Sequence, residues 1–423
     1  MSLPISSIDV LIVGTGPAGS STALHLLQQD PAWAGRIIMV DKAVHPREKL
    51  CGGGITHLGE NVLTRLGLPF EPTNFPVREV RLVYQNESYS FRGNPAFRIV
   101  HRAQFDHWLV EQVIGRGVDV HQGETLLEVT PHETHVEVVT DKAIYHAKVL
   151  VAADGSRSRI RAKLKWDDDS RVARLIEVLT PESPHAWEFR DGVAIFDFSQ
   201  MTGAGLQGYY WDFPSIVGGT LQMNRGVFDS RARPERPKAD LKETLREALA
   251  ERERNLDDYT IKGHPIRWFD KNGRFSQPRI LLEGDAAGAD PLFGEGISFA
   301  LGYGLVAAQT VQHAFASGDF SMADYRQRII RDPLLRSLPT RVWFAKFAYL
   351  MKYPWFVRWG WRMARRIIGW TRWRDAAYDV GPVRGREVVE RPSYVPNKPL
   401  PLLPAPTTHF GGGQRLDGED RDG

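Results

Sequence analysis

The run Gly14-x-Gly16-x-x-Gly19 has the residue types and spacing to hold a pyrophosphate. Gly14 permits a tight turn, Gly16 lets backbone approach phosphate oxygens, and Gly19 lets a helix pack closely on a strand. Ala18 belongs to the same contact set. The phosphates would sit at the positive end of the following helix. Asp41 lies 22 positions after Gly19 and can accept hydrogen bonds from ribose hydroxyls, with Lys42 beside it. A glycine turn alone is common and says little. Here its flanks agree with it.

Those flanks are the elements that must position the turn. Asp9–Val13 is an apolar run that reads as a buried parallel strand, Ser20–Gln29 as a helix, and Arg36–Asp41 as a second strand ending in an acid. Together they form a βαβ unit. The chain has 423 residues, which predicts two or three domains. A single cysteine, Cys51, excludes a disulfide framework and a cysteine-ligated iron–sulfur cluster, and no metal site is expected. A net charge of +3 argues against a nucleic-acid binder. Met1–Ser7 lacks a basic region followed by an apolar one, so no signal peptide is expected, and no apolar run is long enough to predict a spanning helix.

Two further segments turn the dinucleotide reading toward a flavin. Asp154-Gly155 follows the apolar run Val149–Ala153, and Gly284-Asp285 follows Arg279–Glu283. The second segment continues to Gly294-Glu295-Gly296-Ile297 and opens a helix. An acid at a strand end can hold ribityl hydroxyls, and glycines at a helix N-terminus suit a ring edge and phosphate oxygens. In this order the three segments resemble the large flavoprotein family of aromatic hydroxylases, flavin halogenases and geranylgeranyl reductases. The resemblance covers most of residues 8–315 and implies bound FAD. It also implies an FAD contact for Arg102, in Arg102-x-x-Phe105-Asp106. Read from the residues alone, the lesser alternative for Arg102 is a surface charge at a helix start.

Two motifs narrow the branch. Cys51-Gly52-Gly53-Gly54 looks like the Cys-Gly-Gly-Gly loop of geranylgeranyl reductases, where glycines let backbone lie against a flat ring. Tyr209-Tyr210-Trp211-Asp212-Phe213-Pro214 is similar to the Tyr-x-Trp-x-Phe-Pro segment lining their prenyl channel. Strand alternation places Tyr209, Trp211 and Phe213 on one face, which would enclose an alkyl chain. Taken alone, that strand reads as an ordinary core. One glycine of the usual downstream Gly-x-Gly is replaced, at Asn224-Arg225-Gly226. The Trp-x-Trp segment of halogenases and the cysteine cluster of quinone-linked electron-transfer flavoproteins are missing. The resemblance therefore implies saturation of a prenyl double bond on a lipid, quinone or pigment precursor, with NADPH or a reduced protein carrier as electron donor. The alternative is an FAD-dependent monooxygenase acting on an apolar or aromatic substrate. Candidate proton sources are Cys51, Tyr209, Tyr210 and Glu295; Gly52, Gly53, Gly294, Gly296 and Ile297 complete the expected flavin contacts.

From Arg341 to Arg374 there is no Asp or Glu, nine residues are Lys or Arg, and half of the twelve tryptophans occur. Such a segment is expected either to meet an anionic membrane surface or to cap the fold. The expected fold is α/β: a Rossmann-like FAD-binding domain of the aromatic-hydroxylase type (1–60, 98–165 and 275–320), an inserted mixed β-sheet substrate domain (61–97 and 166–274), a C-terminal helical segment (321–383) and a disordered tail (384–423). The expected location is the cytoplasm, with peripheral contact at the inner face of the membrane.

Overall fold

The computed structural model describes residues 3–166 and 171–349, together with 353, 355–360, 362 and 363. The expected tail and all other residues after 363 lie outside the described residues. The chain opens on β1 (Ile5–Val13), α1 (Pro17–Gln29) and β2 (Ile37–Asp41). It continues through β3 (Gly54–Thr56), α2 (His57–Arg65), β4 (Asn74–Tyr84), β5 (Glu87–Val100) and α3 (Arg102–Ile114). Then come β6 (Asp119–Gln122), β7 (Leu126–Pro131), β8 (Val136–Thr140), β9 (Ile144–Ala152) and the short α4 (Arg159–Lys163). The middle of the chain supplies β10 (Val172–Pro181), α5 (Trp187–Asp191), β11 (Val193–Asp197), α6 (Gln200–Gly203), β12 (Gly208–Val217), β13 (Thr220–Asp229) and α7 (Leu241–Ala250). It closes with β14 (Lys262–Arg267), β15 (Ser276–Gln277), β16 (Ile280–Leu282), α8 (Ile297–Ser317), α9 (Tyr325–Arg331) and α10 (Leu338–Ala348).

Two sheets result. The first runs β15-β16-β9-β1-β2-β6, with the β7–β8 hairpin joined through β8 to β9. Its centre is parallel, with Val10 opposite both Ile37 and Val149. Strands buried on both faces must be apolar throughout, and Val10–Val13 and Val149–Ala152 are. The second sheet runs β14-β10-β13-β12-β11-β4-β5-β3 and is antiparallel except where β11 meets β4.

The expected cuts at 60/61 and 97/98 fall inside α2 and β5. β3, expected in the first domain, is the edge of the second sheet. Leu58, Val62 and Leu63 of α2 join the core of the first. The chain thus changes layers within a few residues of the Cys51 loop. Helix α8 holds α1 in place from the other side: Ser21 Oγ donates to Leu301 O (2.7 Å), and a Cβ on Gly304 would stand 2.5 Å from that of Ser21.

Candidate active site

The glycine turn is a close-packed cradle. Gly14 has φ +108°, and a Cβ there would lie 2.3 Å from Ala153 O. A Cβ on Gly19 would lie 2.1 Å from Gly14 O. Gly16 precedes α1 and has one neighbour within reach of an added Cβ, the Arg47 guanidinium at 3.5 Å. Arg47 was not singled out in the sequence, because nothing local marks it. It pairs with Asp106 (3.1 Å), the same buried carboxylate that Arg102 grips through two bonds of 2.7 Å. Two guanidiniums around one carboxylate leave a net positive charge beside a helix N-terminus, an arrangement that could hold an anion. Arg102 is buried, so the surface-charge reading of it does not hold.

Asp41 ends β2 and accepts from Thr15 N–H and Thr15 Oγ1, both at 2.8 Å, and from Ala43 N–H at 2.9 Å. It is thereby fixed at the rim of the cradle; Lys42 beside it is exposed. The second and third segments meet the first. Gly14 abuts Ala153 and Asp154, and a Cβ on Gly284 would stand 2.8 Å from that of Ala18.

The donor set fits FAD. Asp154 takes Ile160 N–H on Oδ2 (3.1 Å), while its Oδ1 is buried with no partner, and burial raises its pKa. Gly155, at φ +81°, faces open space. The Asp285 carboxylate makes no hydrogen bond to any described residue, and its Oδ1 lies 3.6 Å from where a Cβ on Gly296 would be. Gly294 has φ +67°, and Ile297 begins α8 directly after Gly296. Ser156 Oγ and Lys49 Nζ both meet His264 Nε2, at 3.0 and 2.5 Å. Burial and the neighbouring Lys49 hold His264 down to about 4, so this nitrogen accepts.

The Cys51 loop and the aromatic strand are in contact. A Cβ on Gly52 would lie 3.1 Å from the Phe213 ring and 3.6 Å from Trp211 Nε1, and Gly53 (φ +76°) closes on Val100 O. Tyr209, Trp211 and Phe213 share one face in an aromatic cluster with Phe228. Phe196 and Phe293 pack against them. Tyr210 lies in a separate core with α7, its hydroxyl donating to Asp212 (2.6 Å). The replaced glycine has a structural use. Asn224 Oδ1 accepts from Trp211 Nε1 (2.8 Å), and Asn224 Nδ2 donates to Cys51 O (3.3 Å). Gly226 stays glycine because the Trp211 ring would be 2.3 Å from its Cβ.

The candidate proton sources differ in what already engages them. Tyr209 OH donates to Phe293 O at 2.5 Å. Glu295 accepts from Thr56 Oγ1 (2.6 Å) and pairs with Arg341 (3.1 Å). Cys51 Sγ accepts from Gly53 N–H at 3.4 Å. Glu177, unmarked in the sequence, lies behind the loop and accepts from Cys51 N–H (3.2 Å).

Burial raises the Glu177 pKa from 4.5 to about 7, with Lys262 opposing and Glu48 adding to the rise. An acid raised in the fold stabilises it fully below its unfolded pKa. That contribution is lost as pH climbs from 4.5 toward 7, about 3 kcal/mol in all. Glu177→Gln should abolish this slope and be the more stable form at pH 8, as read by urea unfolding across the range. A variant that tracks the wild type at every pH would refute the assignment.

A protein family described as "FAD binding domain" matches residues 7–301. The chain is 28% identical over 335 residues to a menaquinone reductase of Mycobacterium tuberculosis, covering 72% of this chain and 76% of the relative. It is 26% identical over 335 residues to a digeranylgeranylglycerophospholipid reductase of Methanopyrus kandleri, covering 74% and 79%. Its fold is similar to that of a geranylgeranyl bacteriochlorophyll reductase-like protein from Thermoplasma acidophilum, with a TM-score of 0.67 at 22% identity over 82% of this chain and 88% of the other.

Proposed function

The chain belongs to the family of FAD-binding domains and is an FAD-dependent oxidoreductase; from that premise we propose that it saturates prenyl, geranylgeranyl-type double bonds of a lipid, quinone or pigment precursor. The observation that carries this reading is the contact of the Gly52 loop with Trp211 and Phe213 at the edge of the cradle. An isolated alkene has no carbonyl to activate it, so it needs a hydride on one carbon and a proton on the other. Bound FAD, once reduced, supplies the hydride. Gly14, Gly16, Arg47, Arg102, Asp154 and Asp285 would hold the cofactor. Trp211 and Phe213 exclude water and tolerate positive charge developing on a tertiary carbon through their ring faces. Cys51 is the proton source we favour: Tyr209 and Tyr210 already donate to Phe293 O and Asp212, Glu295 is paired with Arg341, and the Cys51 thiol lies beside the Arg102 guanidinium.

Cys51→Ala should bind FAD as the wild type does but slow alkene saturation or change how many bonds are reduced. Mass spectrometry of prenyl lipids and quinones, in cells with the wild type or the variant, reads this. An identical product distribution would remove Cys51 from the site. Oxygen consumption coupled to hydroxylation would replace the proposal with a monooxygenase. The donor is taken to be NADPH or a reduced protein carrier. A cleft of about 690 Å³ has Arg157, Arg174, Lys238 and Lys242 among its lining residues against one acid, Asp240, which suits the phosphates of NADPH. No helix among the described residues is long and apolar enough to cross a membrane.

A further inference from the structure

Helix α10 has two apolar faces, and the fold uses one. Its inner face closes the aromatic cluster: Ala345 and Tyr349 are buried in the same core as Tyr209, Trp211 and Phe213. Tyr349 OH donates to Leu292 O (3.1 Å), and Arg341 pairs with Asp290 (2.7 Å) and Glu295 on the turn that leads into α8. In this respect the segment is a cap.

The outer face has no such partner. Trp343 is 59% exposed and Phe344 40%; beyond α10, Tyr353, Trp355 and Trp359 are 62%, 68% and 49% exposed. Among the described residues, Trp187 is the one other aromatic left open to a comparable degree, at 36%. The rings are associated with exposed cations: Lys346 on α10, and Arg358 and Arg362 after it. Glu87 is the acid that faces them from β5, at 3.7–3.9 Å from those two arginines. With no acid of its own from 341 to 374, this face would repel a second copy of itself. Exposed tryptophans interleaved with long cationic side chains match the headgroup zone of an anionic bilayer, where each cation contributes about 1 kcal/mol.

We propose that the outer face of α10 and the residues following it seat the protein on an anionic lipid surface, with the aromatic cluster directly beneath the seat. Only the helix, roughly 10 Å across, separates the bilayer from Tyr209, Trp211 and Phe213. A substrate with a long tail would then pass from lipid to aromatic core without crossing water. The proposal is independent of which bond is reduced.

The test is sedimentation of the FAD-loaded full chain with vesicles of phosphatidylcholine, alone or mixed with phosphatidylglycerol. Binding is expected to the mixed vesicles and to fall as salt rises. The variant W343A/F344A/W355A/W359A should need on the order of ten-fold more lipid while keeping its flavin absorbance, since all four side chains point away from the cradle. Quenching of the wild type's tryptophan fluorescence by brominated lipid reads the same contact without any substitution. Indifference of the intact chain to both vesicle types, unchanged binding by the variant, or absent quenching would overturn the proposal. So would a concentration-dependent dimer that the variant loses. None of these readouts requires alkene reduction, so this proposal and the prenyl assignment can fail separately.

Discussion

Gly19→Ala should yield a protein without FAD. Alanine is the better helix former by about 1 kcal/mol, so on propensity alone the substitution would stabilise α1. The geometry overrides that gain. The new Cβ would stand 2.1 Å from Gly14 O, 3.0 Å from Ile12 Cγ2 and 3.2 Å from the Ala153 Cβ. Two of these belong to a buried strand and its end, and the first is backbone, so none can swing aside. Overpacking of this kind costs about 1–3 kcal/mol or more, and relief requires α1 to lift from β1. Lifting it moves the helix N-terminus away from the Arg47–Asp106–Arg102 group and opens the phosphate cradle. The ratio of flavin to protein absorbance after purification, with melting temperatures with and without added FAD, measures both effects. Wild-type flavin content would mean that the close approach is not what holds the pyrophosphate.

Arg341→Met should cost about 3–5 kcal/mol, the usual penalty for removing one partner of a buried ion pair. Methionine nearly fills the volume, so the loss is electrostatic rather than a cavity. Asp290, fully buried, would retain only the N–H groups of Leu292 and Phe293 (2.8 and 3.3 Å). Glu295 would retain Thr56. Because protonation removes the stranded charges, the deficit should shrink as pH falls from 8 toward 5, in contrast to the cost of an ordinary packing defect. Urea unfolding of both proteins at the two pH values decides it. A deficit under about 1 kcal/mol at pH 8 would mean that the two carboxylates do not depend on Arg341.

The glycine turn, its flanking strands and the strand-end acids are legible in the sequence because their causes are local. A positive φ at Gly14 and an apolar run on each side act within about thirty residues. The alternation of Tyr209, Trp211 and Phe213 is likewise a property of one strand. Tertiary structure decided what these features are tied to. Cys51 is held by Glu177, 126 positions away, and by Asn224, 173 positions away. Arg341, read in the sequence as one more cation of a basic surface, is buried 51 positions from Asp290 and anchors the cap to the site turn. Arg47 meets Asp106 across three intervening strands and a helix. No spacing rule predicts such pairs, because a buried charge is specified only by the partner that compensates it, and the fold chooses the partner. The sequence by itself determined a split dinucleotide cradle and an aromatic strand. That the Cys51 loop lies against that strand, and that α10 covers its aromatic face while leaving its own outer rings exposed, followed only from how the two sheets pack.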